Sequence, residues 1–217
     1  MSDETSPSEE PTHGVGPYPG GPDAWPDDPR LDPELLEHGD RRNVVDRFRY
    51  WRVEAIVDEL DKSRRPFHVA IENWQHDLNI GSIVRTANAF NAAAVHIVGK
   101  RRWNRRGAMV TDRYLHVFHH ESIEAFTEWL QQHALPLIAV DNVDGSVPVD
   151  AAPLPERCAL LFGQEGPGCS PEAIAAAERV VEIRQAGSTR SMNAAAAAAI
   201  VMHEWVRVHV PVTSQHP

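Results

Sequence analysis

Gly187-Ser188-Thr189-Arg190-Ser191-Met192-Asn193 runs directly into six alanines, residues 194–199, and Ile200. This stretch reads as a tight polar turn entering a buried helix. Gly187 tolerates backbone angles that other residues avoid. The side chain of Ser191 or Asn193 can accept a bond from a free N–H at the helix start. The alanines leave almost no side-chain bulk, so another group can approach the helix backbone closely. Taken alone, the pattern describes an alanine-rich core helix with a capped start. Two upstream loops change its meaning.

From residue 67 the chain alternates between short apolar runs and helical patterns. Residues 67–71, 95–98, 136–140, 158–162 and 180–183 read as strands, and 115–118 as a further one. Residues 79–90, 123–130 and 171–178 read as helices. This rhythm predicts an α/β fold, a mostly parallel sheet with helices on both faces. Ligands in such folds bind at the carboxyl ends of strands.

One loop there spans residues 73–86, with Asn79 at a helix start and Arg85 and Thr86 six and seven residues on. A capped helix with an exposed arginine is the plainer account of it. The other is Gly163-Gln164-Glu165-Gly166-Pro167-Gly168-Cys169-Ser170-Pro171, a rigid, backbone-rich connection suited to an adenosine-like ligand. It lacks the lysine of a P-loop and does not match GxGxxG.

Taken in order, the Asn79–Arg85 helix, the Gly-x-Glu loop at 163–168 and the Ser191-Met192-Asn193 turn resemble the three motifs of the SpoU/TrmH branch of the SPOUT methyltransferases. The resemblance covers residues 67–206. The form of the third motif looks like the branch that methylates the tRNA wobble ribose, and the first looks more like the TrmH type. The resemblance implies an α/β fold with a C-terminal trefoil knot, S-adenosylmethionine as cofactor, and a homodimer with tRNA or rRNA across its interface. Cofactor contacts would fall at Val140, Gly163, Ile183, Ser191, Met192 and Asn193. The implied reaction is methyl transfer to a ribose 2′-hydroxyl. Arg85 would stabilise the nascent alkoxide, because a guanidinium does not deprotonate in proteins. Asn79 would orient Arg85 or the ribose, and Ser191 and Asn193 would order the cofactor turn. Glu165 is either a hydroxyl partner or an acceptor for loop N–H groups. The competing reading is a non-catalytic RNA-binding protein with a vestigial cofactor knot; the presence of Asn79, Arg85, Glu165, Ser191 and Asn193 together argues against decay.

The formal net charge of −10 at first speaks against a nucleic-acid partner. Residues 1–40 hold eleven acids and one base, so the remainder is neutral and can carry a basic face. That segment also holds eight of the seventeen prolines, a composition predicting disorder. Residues 41–66 are expected to form an N-terminal basic helix, amphipathic over 43–62, whose Arg41, Arg42, Arg47, Arg49 and Arg52 serve either RNA or a solvated packing face. Residues 67–217 are expected to form the catalytic domain. Arg101, Arg102, Arg105, Arg106 and Arg113, interleaved with Trp103 and Tyr114, meet the combined needs of phosphate and base stacking.

His116, His119 and His120 alternate as on a half-exposed strand end, and no metal site is expected. The two cysteines, Cys158 and Cys169, have neither metal-ligand nor disulfide-framework spacing. The absence of an apolar span and of a signal-like start leads to the expectation of a cytoplasmic protein without a membrane segment.

Overall fold

Parallel strands buried on both faces read as unbroken apolar runs, and the runs above become one seven-stranded sheet in the computed structural model. Its strands are β1 (Arg65–Asn73), β2 (Ala92–Gly99), β3 (Val117–His120), β4 (Leu137–Val140), β5 (Val147–Pro148), β6 (Cys158–Phe162) and β7 (Arg179–Glu182). The order is β3-β2-β1-β6-β4-β7-β5 with every pair parallel. The helices are α1 (Pro33–His38), α2 (Val53–Asp61), α3 (Asn79–Ala89), α4 (Ile123–Gln132), α5 (Pro171–Ala176) and α6 (Ala194–His209). The structure describes residues 14–74, 79–151 and 153–211. Contacts divide the chain into two compact units, Met1–Glu59 and Leu60–Pro217.

Helices cover both faces of the sheet. On β1, Val69 and Ile71 join a core with Ile80, Ile83 and Val84 of α3 and Val201, Met202 and Trp205 of α6. Ala70, on the opposite face, joins Ile123, Phe126 and Leu130 of α4. Trp205 packs on Phe67 at 4.6 Å between ring centroids, and its Nε1 donates to the carbonyls of Pro155 and Glu156. Strand β3 begins two residues later than its expected span, and β5, two residues ending in a proline, has no apolar run to announce it.

The first unit departs most from expectation. Residues 14–40, predicted disordered from composition, carry α1 and a bridge between Val15 and Asp40; residues 1–13 lie outside the described residues. Asp40 is the organising group. Its fully buried carboxylate accepts from Arg42 N, Nε and Nη2 and from Tyr50 N, at 2.7–3.0 Å. Burial alone would raise its pKa, but the bonds from Arg42 and Tyr50 outweigh that and hold it low.

The single helix expected over 43–62 is replaced by a short 3-10 turn, Asp46–Phe48, followed by α2. Tyr50 separates them with φ 63, and Trp51 bridges to Leu31. Three of its arginines bind the unit's own backbone: Arg42 to Trp51 O, Arg49 to Arg42 O and Arg52 to Leu31 O. This favours the packing role over RNA contact for those three. Among the described residues no helix is long and apolar enough to cross a membrane.

Candidate active site

The carboxyl ends of β4, β6 and β7 open into one cleft, and the turn before α6 closes it. Its walls include Val140 to Val143, Phe162 to Cys169, Glu182, Ile183 and Ser191 to Ala194. The cavity is about 440 Å³, within the usual range for small-ligand sites. Val140, Gly163, Ile183, Ser191, Met192 and Asn193 all lie on its walls, as does Glu165.

At two points of the 163–168 wall a side chain does not fit. A Cβ on Gly163 would sit 2.0 Å from the Gly168 carbonyl carbon, and one on Gly168 would sit 2.4 Å from Asp141 Oδ2. Gln164 and Gly168 exchange both main-chain bonds at 3.0 Å, making a tight ring. Asp141 steadies it: Oδ2 accepts from Cys169 N at 2.7 Å, and Oδ1 from Asn142 N. Asn142 in turn donates to the carbonyl of Arg190, tying the end of β4 to the turn before α6. Sequence reasoning missed Asp141 and Asn142, although a polar pair directly after an apolar strand was the available signal.

One hydrogen-bonded chain joins the three loops. Asn79, buried at the start of α3, donates from Nδ2 to Glu165 Oε2 at 2.6 Å. Its Oδ1 accepts from Asn193 Nδ2 at 2.8 Å. Asn193 Oδ1 caps α6 by accepting from the N–H groups of Ala195 and Ala196. Asn79 thus reads both neighbours with one amide, and the loops at 165 and 193 are fixed relative to α3. Glu165, left open between two roles in the sequence, is an acceptor here, for a side-chain amide.

Arg85 is not brought to this cleft. It is exposed on α3 and makes no hydrogen bond or ion pair among the described residues. Gln75, His76, Asp77 and Leu78 of the same loop lie outside the described residues. The basic loop does come close. At Gly81, one turn into α3, a Cβ would meet Ala108 N and Gly107 Cα at 2.8 Å, so residues 104–108 lie directly on the helix start. Arg101, Arg102, Arg106 and Arg113 are exposed beside it, and exposed Arg105 pairs with Asp112 at 3.4 Å and lies over the Trp103 ring.

Cys169 is the thiol on the wall. Burial, reinforced by the carboxylates of Asp141 and Glu72, pushes its thiol well up, so it stays protonated. The three histidines singled out from the sequence face different partners: His116 bonds Asp61, His119 the Gly99 carbonyl, and His120 bonds His96.

A sequence model of the SpoU rRNA Methylase family matches residues 66–203. The tRNA (guanosine(18)-2'-O)-methyltransferase of Escherichia coli is 25% identical over 156 residues, 70% of this chain and 68% of that protein. The protein of the same description from Thermus thermophilus is 29% identical over 154 residues, 68% of this chain and 78% of that one. The SpoU methyltransferase AviRb from Streptomyces viridochromogenes, solved in complex with AdoMet, superposes with a TM-score of 0.60 at 25% identity. That match covers 68% of this chain and 59% of AviRb.

Proposed function

This chain belongs to the SpoU rRNA methylase family, and from that membership we propose that it methylates a ribose 2′-hydroxyl of tRNA or rRNA, with S-adenosylmethionine as the methyl donor. The observation that carries the reading is the Glu165–Asn79–Asn193 chain, whose two outer members line the cleft. It ties together the three loops that such a reaction needs, at the carboxyl ends of parallel strands.

The cleft fits the cofactor. Its 163–168 wall presents main-chain groups at Gly163 and Gly168, where a Cβ would clash. Val140 and Ile183 add apolar surface, and Asp141 and Glu182 also line the space. Val140, Gly163, Ile183, Ser191, Met192 and Asn193 would hold it. When bound, it supplies an activated methyl group. The chain's own task is alignment of the 2′-oxygen and stabilisation of the charge that develops on it.

Arg85 is assigned that stabilising role. Its exposure on α3 suits a guanidinium that engages RNA phosphate and ribose when the substrate arrives. Asn79 holds the loops around it, and Ser191 and Asn193 order the cofactor turn. Arg101, Arg102, Arg105, Arg106 and Arg113 meet the RNA backbone. The activity is assigned to the unit from Leu60 onward, with the C-terminal knot and homodimeric assembly that the family resemblance implies, and with a cytoplasmic location, where tRNA or rRNA substrates are met.

The test is calorimetric titration with S-adenosylmethionine, followed by mapping of 2′-O-methyl sites in RNA from a deletion strain. Binding together with a lost site supports the reading. No binding and an unchanged methylation map refute it.

A further inference from the structure

The end of β1 carries three consecutive residues that reach the loops on either side of the site. Glu72, fully buried, accepts from Trp74 Nε1 at 2.9 Å and from Ser170 N at 2.7 Å. The Trp74 N–H donates to Gln164 Oε1 at 3.1 Å. The bonds to Ser170 N and Gln164 Oε1 belong to the cofactor side. Asn73 stands between them and makes none of these bonds. Its Nδ2 donates instead to the carbonyls of Lys100 and Arg102, at 2.6 and 2.8 Å, and its main-chain carbonyl accepts from Lys100 N at 2.8 Å.

The basic loop is therefore fastened at both ends. At its start, Gly99 has φ +106, and a Cβ there would meet the Trp74 ring at 2.7 Å. At its far end, Gly107 lies against the backbone of Gly81 and Ser82. Between these points the arginines project from a short span whose carbonyls one buried amide holds. Asn73 Oδ1 is itself buried and has no hydrogen-bond partner among the described residues. A buried acceptor left unmade offsets much of what the two donated bonds contribute to folding. The net effect of this side chain falls on where the loop sits.

We propose that Asn73 is a positioning residue for RNA recognition. By gripping the carbonyls of Lys100 and Arg102 it presets the basic loop beside the start of α3, where Asn79 joins the catalytic loops. Arg101 and Arg102 then meet phosphate without a loop-ordering penalty. This rests on the reading of that loop as the RNA contact.

The test uses the full chain with Asn73→Ala, and Asn73→Ser, which keeps one donor. Three readouts are taken at matched folded fraction. Limited trypsin digestion should cleave at the loop arginines roughly tenfold faster in the alanine variant, because local opening no longer has to break two bonds. Cofactor affinity should stay at the wild-type value. RNA affinity should fall, and a double-mutant cycle against Arg101→Ala with Arg102→Ala should be non-additive, the arginines counting for less once the loop is loose.

Wild-type cleavage rates, or an additive cycle, would overturn the proposal. So would loss of the fold in both variants, since the side chain would then be needed for folding itself. Removal of the arginines from the otherwise native chain tests the underlying reading separately. An unchanged salt dependence of RNA binding there would end the RNA role, whether or not trypsin still detects a looser loop.

Discussion

Asn79→Asp is the most informative single change in the site. The substitution keeps Oδ1 as the acceptor for Asn193 but replaces the donor facing Glu165 with a second carboxylate oxygen. The Asn79–Glu165 bond at 2.6 Å joins a buried amide to an exposed carboxylate and is worth about 1.5 kcal/mol, and repulsion adds to its loss. The neutral 2.8 Å bond to Asn193 is worth about 1 kcal/mol and survives. If the lost bond acts wholly through the order of the 163–168 wall, cofactor affinity falls by roughly tenfold or more.

The rescue is the stringent part. Glu165→Gln supplies an amide donor where the new carboxylate needs one, so the polarity of the pair is reversed and both bonds are restored. Calorimetric titration with S-adenosylmethionine should show a large loss for Asn79→Asp alone and substantial recovery in the double variant. Binding, not turnover, is read because the bond is argued to act through the order of the cofactor cleft. A double variant no better than Asn79→Asp, or an Asn79→Asp protein that binds normally, would refute the claim that this bond organises the cleft.

Arg85→Ala should fold normally and bind both substrates, yet lose on the order of a hundredfold in single-turnover methyl transfer, as removal of a charge-stabilising donor does elsewhere. Arg85→Lys should be only a partial rescue, since it lacks the planar fork. A near-normal alanine rate would remove Arg85 from the chemistry. Alanine at Arg101, Arg102, Arg105 and Arg106 should flatten the slope of log affinity against log salt by close to one unit for each phosphate no longer engaged. An unchanged slope would take that cluster off the RNA.

Stability should fall with acid through a chain of three histidines, His68 Nδ1 to His96 Nε2 at 3.0 Å and His96 Nδ1 to His120 Nε2 at 2.9 Å. Burial first, and neighbouring charge second, pushes His68 down to about 4 and His96 to about 2, and lowers His120. The unfolded chain titrates these groups near 6.5 and so binds more protons below that value. Urea midpoints should be flat above about pH 6.5 and then drop, by about 1.4 kcal/mol per pH unit for each histidine that stays neutral in the fold. A flat profile down to pH 5 would contradict the buried chain.

The strands were legible because burial on both faces leaves no polar alternation to confuse the reading; residues 158–162 are apolar throughout and fully buried. The small-residue helix was legible as a helix, since alanine is the strongest helix former, but not as a buried one: of residues 194–199 only Ala198 is buried and Ala196 is exposed. The first unit was not legible. Residues 14–40 are held by main-chain bonds between Val15 and Asp40 and from Tyr18 N to Leu36 O, by Tyr50 Oη to the Gly16 carbonyl, and by the buried carboxylate of Asp40, which ties their end to Arg42 and Tyr50. Composition counts that group as one more acid in an acidic tail. Helical spacing over 43–62 misled likewise, because apolar residues at those intervals also suit a turn, a bridge and a shorter helix. In the site, the resemblance pointed to the residues lining the cleft. It could not reveal that Asn79 bonds Glu165 and Asn193 with one side chain, or that Arg85 stands outside the walls. The histidine chain left one trace, a histidine in each of three adjoining strands, which gains meaning only once the strand order is known.

The central claim is transfer of a methyl group to a ribose oxygen. The direct measurement incubates the purified chain with methyl-labelled S-adenosylmethionine and unmodified tRNA or rRNA, then digests the RNA completely. The account predicts label in a 2′-O-methylated nucleoside, seen as an alkali-resistant dinucleotide because a methylated 2′-oxygen cannot attack its own phosphodiester. Label recovered in a base-methylated nucleoside, or none in either RNA from a protein that binds the cofactor, would contradict it.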